Sequence, residues 1–242
     1  MCRRIDQTVC MADWRLDERM HAGDEHLDPD YVARYERKAG FDPADDIDVL
    51  HRHGLTGDTV VVDMGAGTGV FTAAVAPLCH KVIAVDISPM MIAALRSRVE
   101  RDGLGNVSVV EAGFLSYDHD TEPADIVYTR NALHQLPDFW KAIALQRLFA
   151  MLRPGGILRV RDLVFDFEPG DADSSIEAWF SGAVTDPAVG FTAEELATHV
   201  RTEFSTYSWL LEPILERVGF TVLDCHYERS AYGTYTCVRR AA

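Results

Sequence analysis

The sequence predicts a doubly wound α/β fold whose sheet is mostly parallel. Two observations support this prediction. From Val60 onward, short runs of β-branched residues alternate with stretches of helical periodicity, which is the pattern of parallel βαβ units rather than of a β-sandwich. The stretch 60–71 also runs from an apolar strand through three glycines into a helix, and this places backbone amides at the carboxyl end of the first strand.

Seven strands and several helices follow from this alternation. The strands are expected over residues 59–64, 81–86, 107–111, 125–129, 156–163, 221–226 and 234–238. The helices between them are expected over about 69–79, 89–102, 139–152 and 206–218. Ser88 should cap the second of these helices, because Pro89 stands at its first position. The run Arg-Pro-Gly-Gly at 153–156 should end the third helix and turn the chain into the next strand.

Two segments fall outside this pattern. Residues 1–57 form an amphipathic lead-in with a helix over about 44–53, in which Asp45 and Asp46 would complement the helix dipole. Residues 165–205 are too long for a simple connection between strands. Their first part is acidic and is expected to be flexible, and a capped helix should begin at Thr192. We therefore expect one domain over residues 58–242, capped by the lead-in and by this insertion.

Charge and cysteine content limit the partners and the compartment. The 242 residues include 23 Lys and Arg against 38 Asp and Glu, for a net charge of −15. No run of basic residues is present that could overcome the repulsion between this charge and the phosphates of a nucleic acid. Five cysteines without C-x-x-C spacing fit neither a zinc site nor a disulfide framework. No apolar segment resembles a secretion signal or a membrane span. We expect a cytoplasmic monomer or homodimer with no nucleic-acid partner, no membrane contact and no metal.

The loop after the first strand carries Asp63 and then Gly65, Gly67 and Gly69. Glycines let a ligand approach the backbone amides at the start of the following helix. The spacing is not the G-x-G-x-x-G of dinucleotide sites, and the Lys and Ser/Thr of a phosphate-binding loop are missing. An acid ahead of this loop suits a ligand that has an amino group and no pyrophosphate.

The second predicted strand ends at Asp86. A carboxylate at the tip of this strand can accept hydrogen bonds from both hydroxyls of a ribose. Ile87 follows it and could cover one face of an adenine ring. The loop and this acid together therefore indicate a nucleoside ligand.

These motifs resemble the S-adenosylmethionine site of class I methyltransferases. The segments 124–128, 132–136 and 152–158 are similar to the fourth- and fifth-strand motifs of the small-molecule branch, which includes the quinone-biosynthesis C-methyltransferases. The resemblance covers about residues 58–165. It implies a seven-stranded Rossmann-like sheet with an antiparallel last strand and a helical cap. It also implies that the cofactor is S-adenosylmethionine.

The resemblance also implies which residues contact the cofactor. The glycine loop would lie under the methionine portion, together with Arg130 and Asn131 at the end of the fourth strand. After the third strand the family often has an acid that contacts the adenine amino group, but this chain has Gly113 there, which leaves Phe114 as an adenine wall. Tyr35 could close over the methionine carboxylate, although an amphipathic helix face explains it equally well. The expected cofactor-binding residues are Asp63, Gly65, Ala66, Gly67, Thr68, Gly69, Asp86, Ile87, Gly113, Phe114, Arg130, Asn131 and Tyr35.

Methyl transfer from a sulfonium depends mainly on placing the acceptor in line, about 3–3.5 Å from the methyl carbon. A hydroxyl or an acidic carbon usually needs a general base as well, whereas an unprotonated amine or a thiolate does not. His134 is the candidate base, because the matched segment places it at the carboxyl edge of the sheet. Tyr207 is a second catalytic candidate, since it follows the insertion. For both His134 and Tyr207, the alternative is a purely structural role.

The predicted function is therefore methyl transfer from S-adenosylmethionine to a small-molecule acceptor. Methylation of a protein or another macromolecule is one alternative, and a non-catalytic cofactor-binding module is another. Base-modifying enzymes carry Asp or Asn followed by Pro-Pro-aromatic at the fourth strand, whereas this chain has Arg-Asn-Ala-Leu at 130–133. If the acids of the two capping segments line the acceptor site, they favour a neutral or cationic acceptor; a solvated acidic face is the alternative.

Overall fold

The computed structural model describes residues 14–21, 38 and 40–240, and its centre is one sheet. The sheet has the strand order β3-β2-β1-β4-β5-β8-β7, with the two-residue strand β6 paired to β5. The strands are β1 Val60–Met64, β2 Lys81–Asp86, β3 Val107–Glu111, β4 Ala124–Arg130, β5 Leu152–Phe165, β6 Thr206–Tyr207, β7 Phe220–Glu228 and β8 Tyr232–Arg239.

The strand directions confirm the predicted fold class. All pairings among β1 to β6 are parallel, and β8 runs antiparallel to both β5 and β7. The last strand is therefore antiparallel, as expected. β5 begins at Leu152 rather than at 156, because Leu152 already pairs with Ala124 before the register shift at the start of β4.

Helices cover both faces of the sheet. They are α1 Ala44–Arg52, α2 Val70–Val75, α3 Pro89–Arg101, α4 Asp138–Met151, α5 Ala172–Phe180, α6 Ala193–Thr202 and α7 Ser208–Val218. Val60 and Val62 of β1 point into the core formed with α4 and α7, whereas Val61 points into the core formed with α1 and α2. Strands buried on both faces explain the unbroken apolar runs of the sequence. Among the described helices, none is long and apolar enough to cross a bilayer.

The predicted helix signals are present at their expected places. The Ser88 hydroxyl accepts a hydrogen bond from the Met91 amide at 3.2 Å, which caps α3. Thr192 and Glu195 form a capping box at the start of α6. Helix α4 ends at Met151, but residues 153–156, predicted as a turn, belong to the start of β5, where Gly155 has a φ of 75°.

The start of the 165–205 insertion is helical, so the expectation of a flexible acidic stretch was wrong. A short 3₁₀ turn over Pro169–Asp171 leads directly into α5. The reason is aromatic packing at the far end of α5. Trp179 is buried, with its ring centroid 6.2 Å from that of Phe165 and 5.7 Å from that of Tyr232, and this contact anchors the helix.

One acid of α1 faces the sheet instead of complementing the helix dipole. Asp45 is exposed, but Asp46 is buried and its carboxylate accepts hydrogen bonds from Tyr128 at 2.8 Å and from Arg159 at 2.9 Å. A buried carboxylate is stable only when it is paired in this way. Asp46 therefore docks α1 against β4 and β5 beside the carboxyl edge of the sheet.

Candidate functional site

The predicted glycine loop lies at the carboxyl edge of the sheet, between β1 and α2. Gly65, Gly67 and Gly69 have φ values of 75°, 55° and 83°, in the left-handed region that favours glycine. The amides of Gly65 and Ala66 donate to the Val85 carbonyl at 2.8 and 3.0 Å. The loop is therefore fixed to the end of β2 before any ligand binds.

The three glycines satisfy different constraints. A Cβ atom at Gly65 would lie 2.5 Å from the Ala132 Cβ, and one at Gly69 would lie 2.2 Å from a methyl carbon of Leu95. Packing therefore excludes a side chain at Gly65, whereas at Gly69 a side chain would require Leu95 to shift and would be strained by the left-handed backbone. Gly67 has open space where its Cβ would be, so it is the glycine whose missing side chain leaves room for a ligand.

A pocket with about 700 Å³ of empty space, part of it open to solvent, lies beside Asp86; we call it the inner pocket. Eight predicted residues line it, namely Gly65, Gly67, Asp86, Ile87, Gly113, Phe114, Arg130 and Asn131. Apolar side chains of Met64, Met91 and Leu136 complete the wall. Mostly apolar walls with a few convergent polar groups are typical of a site for a small ligand.

Asp86 is held in place by backbone amides. Its two carboxylate oxygens accept hydrogen bonds from the Gly67 and Ser88 amides, each at 2.8 Å. Burial raises the pKa of Asp86, and these hydrogen bonds oppose that rise. Each carboxylate oxygen can accept a further hydrogen bond, so Asp86 keeps acceptor capacity toward the inner pocket.

A carboxylate occupies the space that Gly113 leaves open. A Cβ at Gly113 would lie 2.4 Å from one carboxylate oxygen of Glu18, which is a buried residue of the segment 14–21. The Ser116 hydroxyl donates to the other Glu18 oxygen at 2.9 Å and accepts the Gly113 amide at 2.9 Å. The lead-in thus places a carboxylate beside the third-strand loop, which has no acid of its own at position 113. Sequence reasoning missed Glu18, because no local pattern connects positions so far apart.

A second and larger space lies on the other side of the glycine loop, and we call it the outer cleft. It has about 1850 Å³ of empty volume, open solvent included. The predicted residues that line it are Asp63, Gly65, Ala66, Gly67, Thr68, Arg130 and Asn131. Gly65, Gly67, Arg130 and Asn131 border both spaces, so the inner pocket and the outer cleft meet there. Gly69 lines neither space and serves packing.

Asp63 is a buried acid at the floor of the outer cleft. The Thr72 hydroxyl donates to its carboxylate at 2.5 Å. Burial is the main cause that raises the pKa of Asp63 to about 7; the Thr72 hydrogen bond lowers it, and the nearby Asp86 adds to the rise. Asp63 can therefore accept or donate a hydrogen bond near neutral pH.

Four arginines line the outer cleft, and sequence reasoning singled out only one of them, Arg130. The others are Arg98, Arg161 and Arg229. A period-two pattern could have pointed to Arg161, because Arg159 and Arg161 lie two residues apart in β5 and charged residues are rare in a buried strand. The acids of the first part of the insertion, Asp166, Glu168, Asp171, Asp173 and Glu177, are exposed, and none of them lines the cleft. They form a solvated face.

His134 lies in a buried chain of charged groups. Its Nδ1 atom is 2.6 Å from a carboxylate oxygen of Asp162, and its Nε2 atom is 3.2 Å from an oxygen of Glu203. Glu203 also pairs with Nδ1 of His199 at 2.6 Å. His134 therefore joins the loop after β4 to β5 and to the residue that follows α6.

This environment argues against the predicted role of His134 as a general base. Burial favours the neutral ring, but the carboxylates of Asp162 and Glu203 outweigh burial and raise the pKa of His134 to about 10. A protonated imidazole has no lone pair with which to take a proton. His134 also lines neither the inner pocket nor the outer cleft.

Tyr207 also lies away from both spaces, so the structure does not support its predicted catalytic role. It is half-buried and stacks on Trp209, with ring centroids 5.2 Å apart. The rings of Phe165 and Phe167 meet it edge-on at 6.0 and 5.7 Å. Tyr207 is thus part of the aromatic packing under the insertion.

The predicted contact of Tyr35 lies outside the described residues. Lys38, three residues further along the lead-in, is described and buried. Its ammonium pairs with Glu195 of α6 and lies 5.0 Å from the centre of the Phe191 ring. Lys38 therefore connects the lead-in to the insertion beside the outer cleft.

We predict that His134 makes stability depend on pH. Its folded-state pKa of about 10 lies above the ordinary value of 6.5, so the stabilisation is complete below about pH 6.5 and is lost as the pH rises toward 10. Urea unfolding of the wild type should show a free energy that falls over this window by up to about 1.4 kcal/mol per pH unit.

His134→Gln should be about 3–5 kcal/mol less stable than the wild type at pH 7, because Asp162 loses its partner, and should lack this slope. His80→Gln, at an exposed position, should keep both the slope and the stability. Equal slopes in the wild type and His134→Gln would show that the ring is neutral when folded.

Comparisons with known proteins agree with this geometry. A methyltransferase domain family matches residues 61–156, from β1 to the start of β5. An uncharacterized methyltransferase of Anoxybacillus flavithermus is 27% identical over 67% of this chain and 70% of its own length.

Solved structures share the fold at low identity. An S-adenosylmethionine-dependent methyltransferase from Aquifex aeolicus aligns over 88% of this chain and 98% of its own, with 19% identity and a TM-score of 0.61. The N-methyltransferase NodS of Bradyrhizobium japonicum, solved with S-adenosylhomocysteine, aligns over 81% of this chain and 86% of its own, with 17% identity and a TM-score of 0.56. The chain therefore carries a methyltransferase domain, and the family match, the relatives and the shared fold support an S-adenosylmethionine-dependent methyltransferase.

Proposed function

We propose that this enzyme methylates a small-molecule acceptor held in the outer cleft. One observation supports this above the others: the inner pocket and the outer cleft meet at Gly65, Gly67, Arg130 and Asn131. A cofactor whose nucleoside fills the inner pocket would reach this junction with its methionine end. The rest of the outer cleft is then free for the acceptor, and residues 40–41 and Phe191 bound it from the two capping segments.

We propose that the inner pocket holds the adenosine. Asp86 would accept hydrogen bonds from the ribose hydroxyls, and Ile87 and Phe114 would flank the adenine. Glu18 would accept a hydrogen bond from the adenine amino group, because its carboxylate lies at the pocket wall beside Gly113. Glu18 thus stands in for the acid that this chain lacks after β3.

We propose that the methionine end lies over the glycine loop. Gly67 offers the open space, Ala66, Thr68 and Asn131 line the path, and Arg130 can pair with a carboxylate. Asp63 suits the amino group as a hydrogen-bond partner, since it keeps acceptor capacity in either protonation state.

Bound S-adenosylmethionine supplies a methyl group on a sulfonium, and transfer forms the acceptor–methyl bond as the sulfur–methyl bond breaks. The described residues at the cleft offer orientation and charge, and His134 is already protonated. Catalysis would therefore rest on positioning. Phe41, Phe191 and Tyr232 give the cleft an aromatic wall that suits a ring-bearing acceptor, which agrees with the predicted likeness to quinone-biosynthesis C-methyltransferases.

Calorimetry with S-adenosylhomocysteine tests the cofactor site. The wild type should bind it, and Asp86→Ala should bind at least tenfold more weakly, since a charge-assisted hydrogen bond contributes about 1.5–3 kcal/mol. Asp58→Ala, at an exposed position, is the matched control and should bind like the wild type. A folded wild-type protein that binds neither S-adenosylhomocysteine nor S-adenosylmethionine would refute the proposed function.

Methyl-labelled cofactor in a cell extract then separates the three functions. Label in the small-molecule fraction supports the proposal. Label in a protein or nucleic-acid fraction supports the macromolecular alternative. Binding without any label transfer supports the non-catalytic module.

A double substitution tests the role of Glu18. Glu18→Gln should lower the affinity for S-adenosylhomocysteine and should lose the preference over S-inosylhomocysteine, which lacks the amino donor. Gly113→Asp alone should bind poorly because its side chain meets Glu18, whereas Gly113→Asp combined with Glu18→Ala should recover most of the affinity. Asp17→Asn, one position earlier and exposed, is the control. An unchanged preference for adenine in Glu18→Gln would remove Glu18 from base recognition.

A further inference from the structure

The outer cleft is cationic, although the protein as a whole is strongly acidic. Among the residues that the structure describes, Arg98, Arg130, Arg161 and Arg229 line it together with two acids, Asp63 and Glu228. The whole chain carries a net charge of −15. Four guanidinium groups around one space in such a chain create a local positive potential that attracts anions.

The position of each arginine separates the cofactor end from the acceptor end. Arg130 borders both the inner pocket and the outer cleft, which places it at the methionine end of the proposed cofactor site. Arg98, Arg161 and Arg229 line the outer cleft alone. Arg98 donates to the Thr68 carbonyl of the glycine loop at 2.9 Å, which places it beside the cofactor end as well. One carboxylate on the cofactor accounts for Arg130, and Arg161 and Arg229 then remain for the acceptor.

Contacts with Asn131 and Tyr232 orient Arg161, and its ion pair with Glu228 is not tight. Its guanidinium donates to the Asn131 side-chain oxygen at 2.9 Å and lies 4.5 Å from the centre of the Tyr232 ring. Its carboxylate partner, Glu228, is 3.3 Å away, and the Glu228 side chain is 53% exposed. The Arg161 side chain itself is 13% exposed. Its guanidinium carries five N–H donors, and the contacts with Asn131 and Glu228 leave donors that can bind an anion.

Arg229 lies at the tip of the β7–β8 hairpin, in a left-handed backbone conformation that arginine seldom adopts. Arg229 and Ser230 have φ values of 54° and 51°, which glycine or asparagine adopts more readily, and they lie inside a turn that the Ala231 amide closes on the Glu228 carbonyl at 3.1 Å. Arg229 is exposed and forms no ion pair with any residue that the structure describes. Asn131, also at the cleft, has the same left-handed backbone with a φ of 49°. Such outliers often occur at binding sites.

We propose that the outer cleft binds an acceptor that carries an oxyanion, a carboxylate or a phosphate, with Arg161 and Arg229 as its partners. The planar guanidinium matches both anions through paired hydrogen bonds. This inference rests on the proposed function and names the substrate class of the same site. An anionic acceptor differs from the sequence-based expectation, which favoured a neutral or cationic acceptor if acids of the capping segments lined the site.

Calorimetric titration of the S-adenosylhomocysteine-bound protein tests this with four ring probes. Phenyl phosphate and benzoate carry the two candidate anions, benzyl alcohol is neutral, and benzylamine is a cation. At least one anion should bind tenfold or more tightly than benzyl alcohol, and benzylamine should bind most weakly. The comparison of phenyl phosphate with benzoate tells which anion the cleft prefers.

Arginine variants assign that preference to the two side chains. Arg229→Gln, an exposed position, should weaken binding of the anion roughly tenfold, the loss expected for a charge-assisted hydrogen bond. Arg161→Gln should do the same, and if it fails to fold, Arg229→Gln decides. Arg217→Gln, on the exposed side of α7, should bind the anion like the wild type.

Two results would overturn the inference while the proposed function stands. In one, S-adenosylhomocysteine binds but neither anion binds more tightly than benzyl alcohol. In the other, an anion binds but Arg229→Gln has no effect on it. Failure of the wild type to bind S-adenosylhomocysteine would instead refute the proposed function itself, and this inference with it.

Discussion

The carboxylate of Asp162 in β5 holds the loop that both spaces share. It accepts hydrogen bonds from the amides of Ala132 and Leu133 at 3.1 and 2.7 Å, and from Nδ1 of His134 at 2.6 Å. Burial would raise the pKa of Asp162, but the charge and hydrogen bond of His134 outweigh burial and hold this pKa below its ordinary value. The loop after β4 therefore has one position against β5. That position brings Ala132 so close to the glycine loop that only glycine fits at Gly65.

The same group connects the cap to the sheet. The His134 ring contacts Asp162 through Nδ1 and Glu203, just after α6, through Nε2. The Phe204 amide donates a hydrogen bond to the His134 carbonyl at 2.9 Å. A change in the protonation of His134 would therefore affect both the floor of the site and the attachment of the insertion. A residue with this role acts through position and charge rather than through proton transfer.

The two ends of the proposed site differ in how they recognise a ligand. The inner pocket combines apolar walls with the carboxylates of Asp86 and Glu18, which accept hydrogen bonds from hydroxyl and amino groups. The outer cleft combines aromatic rings with arginines, which donate to oxyanions. Because the donors and acceptors are segregated in this way, a nucleoside and an anionic acceptor would each favour one end.

Local sequence patterns predicted the features that depend on neighbouring residues. The glycine loop, the Ser88 cap and the positions of strands β1 to β4 are of this kind, because their signals lie within one βα unit. Glu18 was missed because it meets Gly113 only after the chain has folded, and α5 was missed because its anchor, Trp179, packs on remote aromatic rings. His134 stood at the predicted edge, but its charge depends on Asp162 and Glu203, which no spacing connects to it.

A crystal structure of the protein with S-adenosylhomocysteine tests the central claim most directly. We expect the ribose on Asp86, the adenine between Ile87 and Phe114 with its amino group on Glu18, and the homocysteine carboxylate at Arg130. Arg161 and Arg229 should stay free of the ligand. A nucleoside outside the inner pocket, or a homocysteine carboxylate on Arg161, would contradict the account of where the cofactor ends and the acceptor begins.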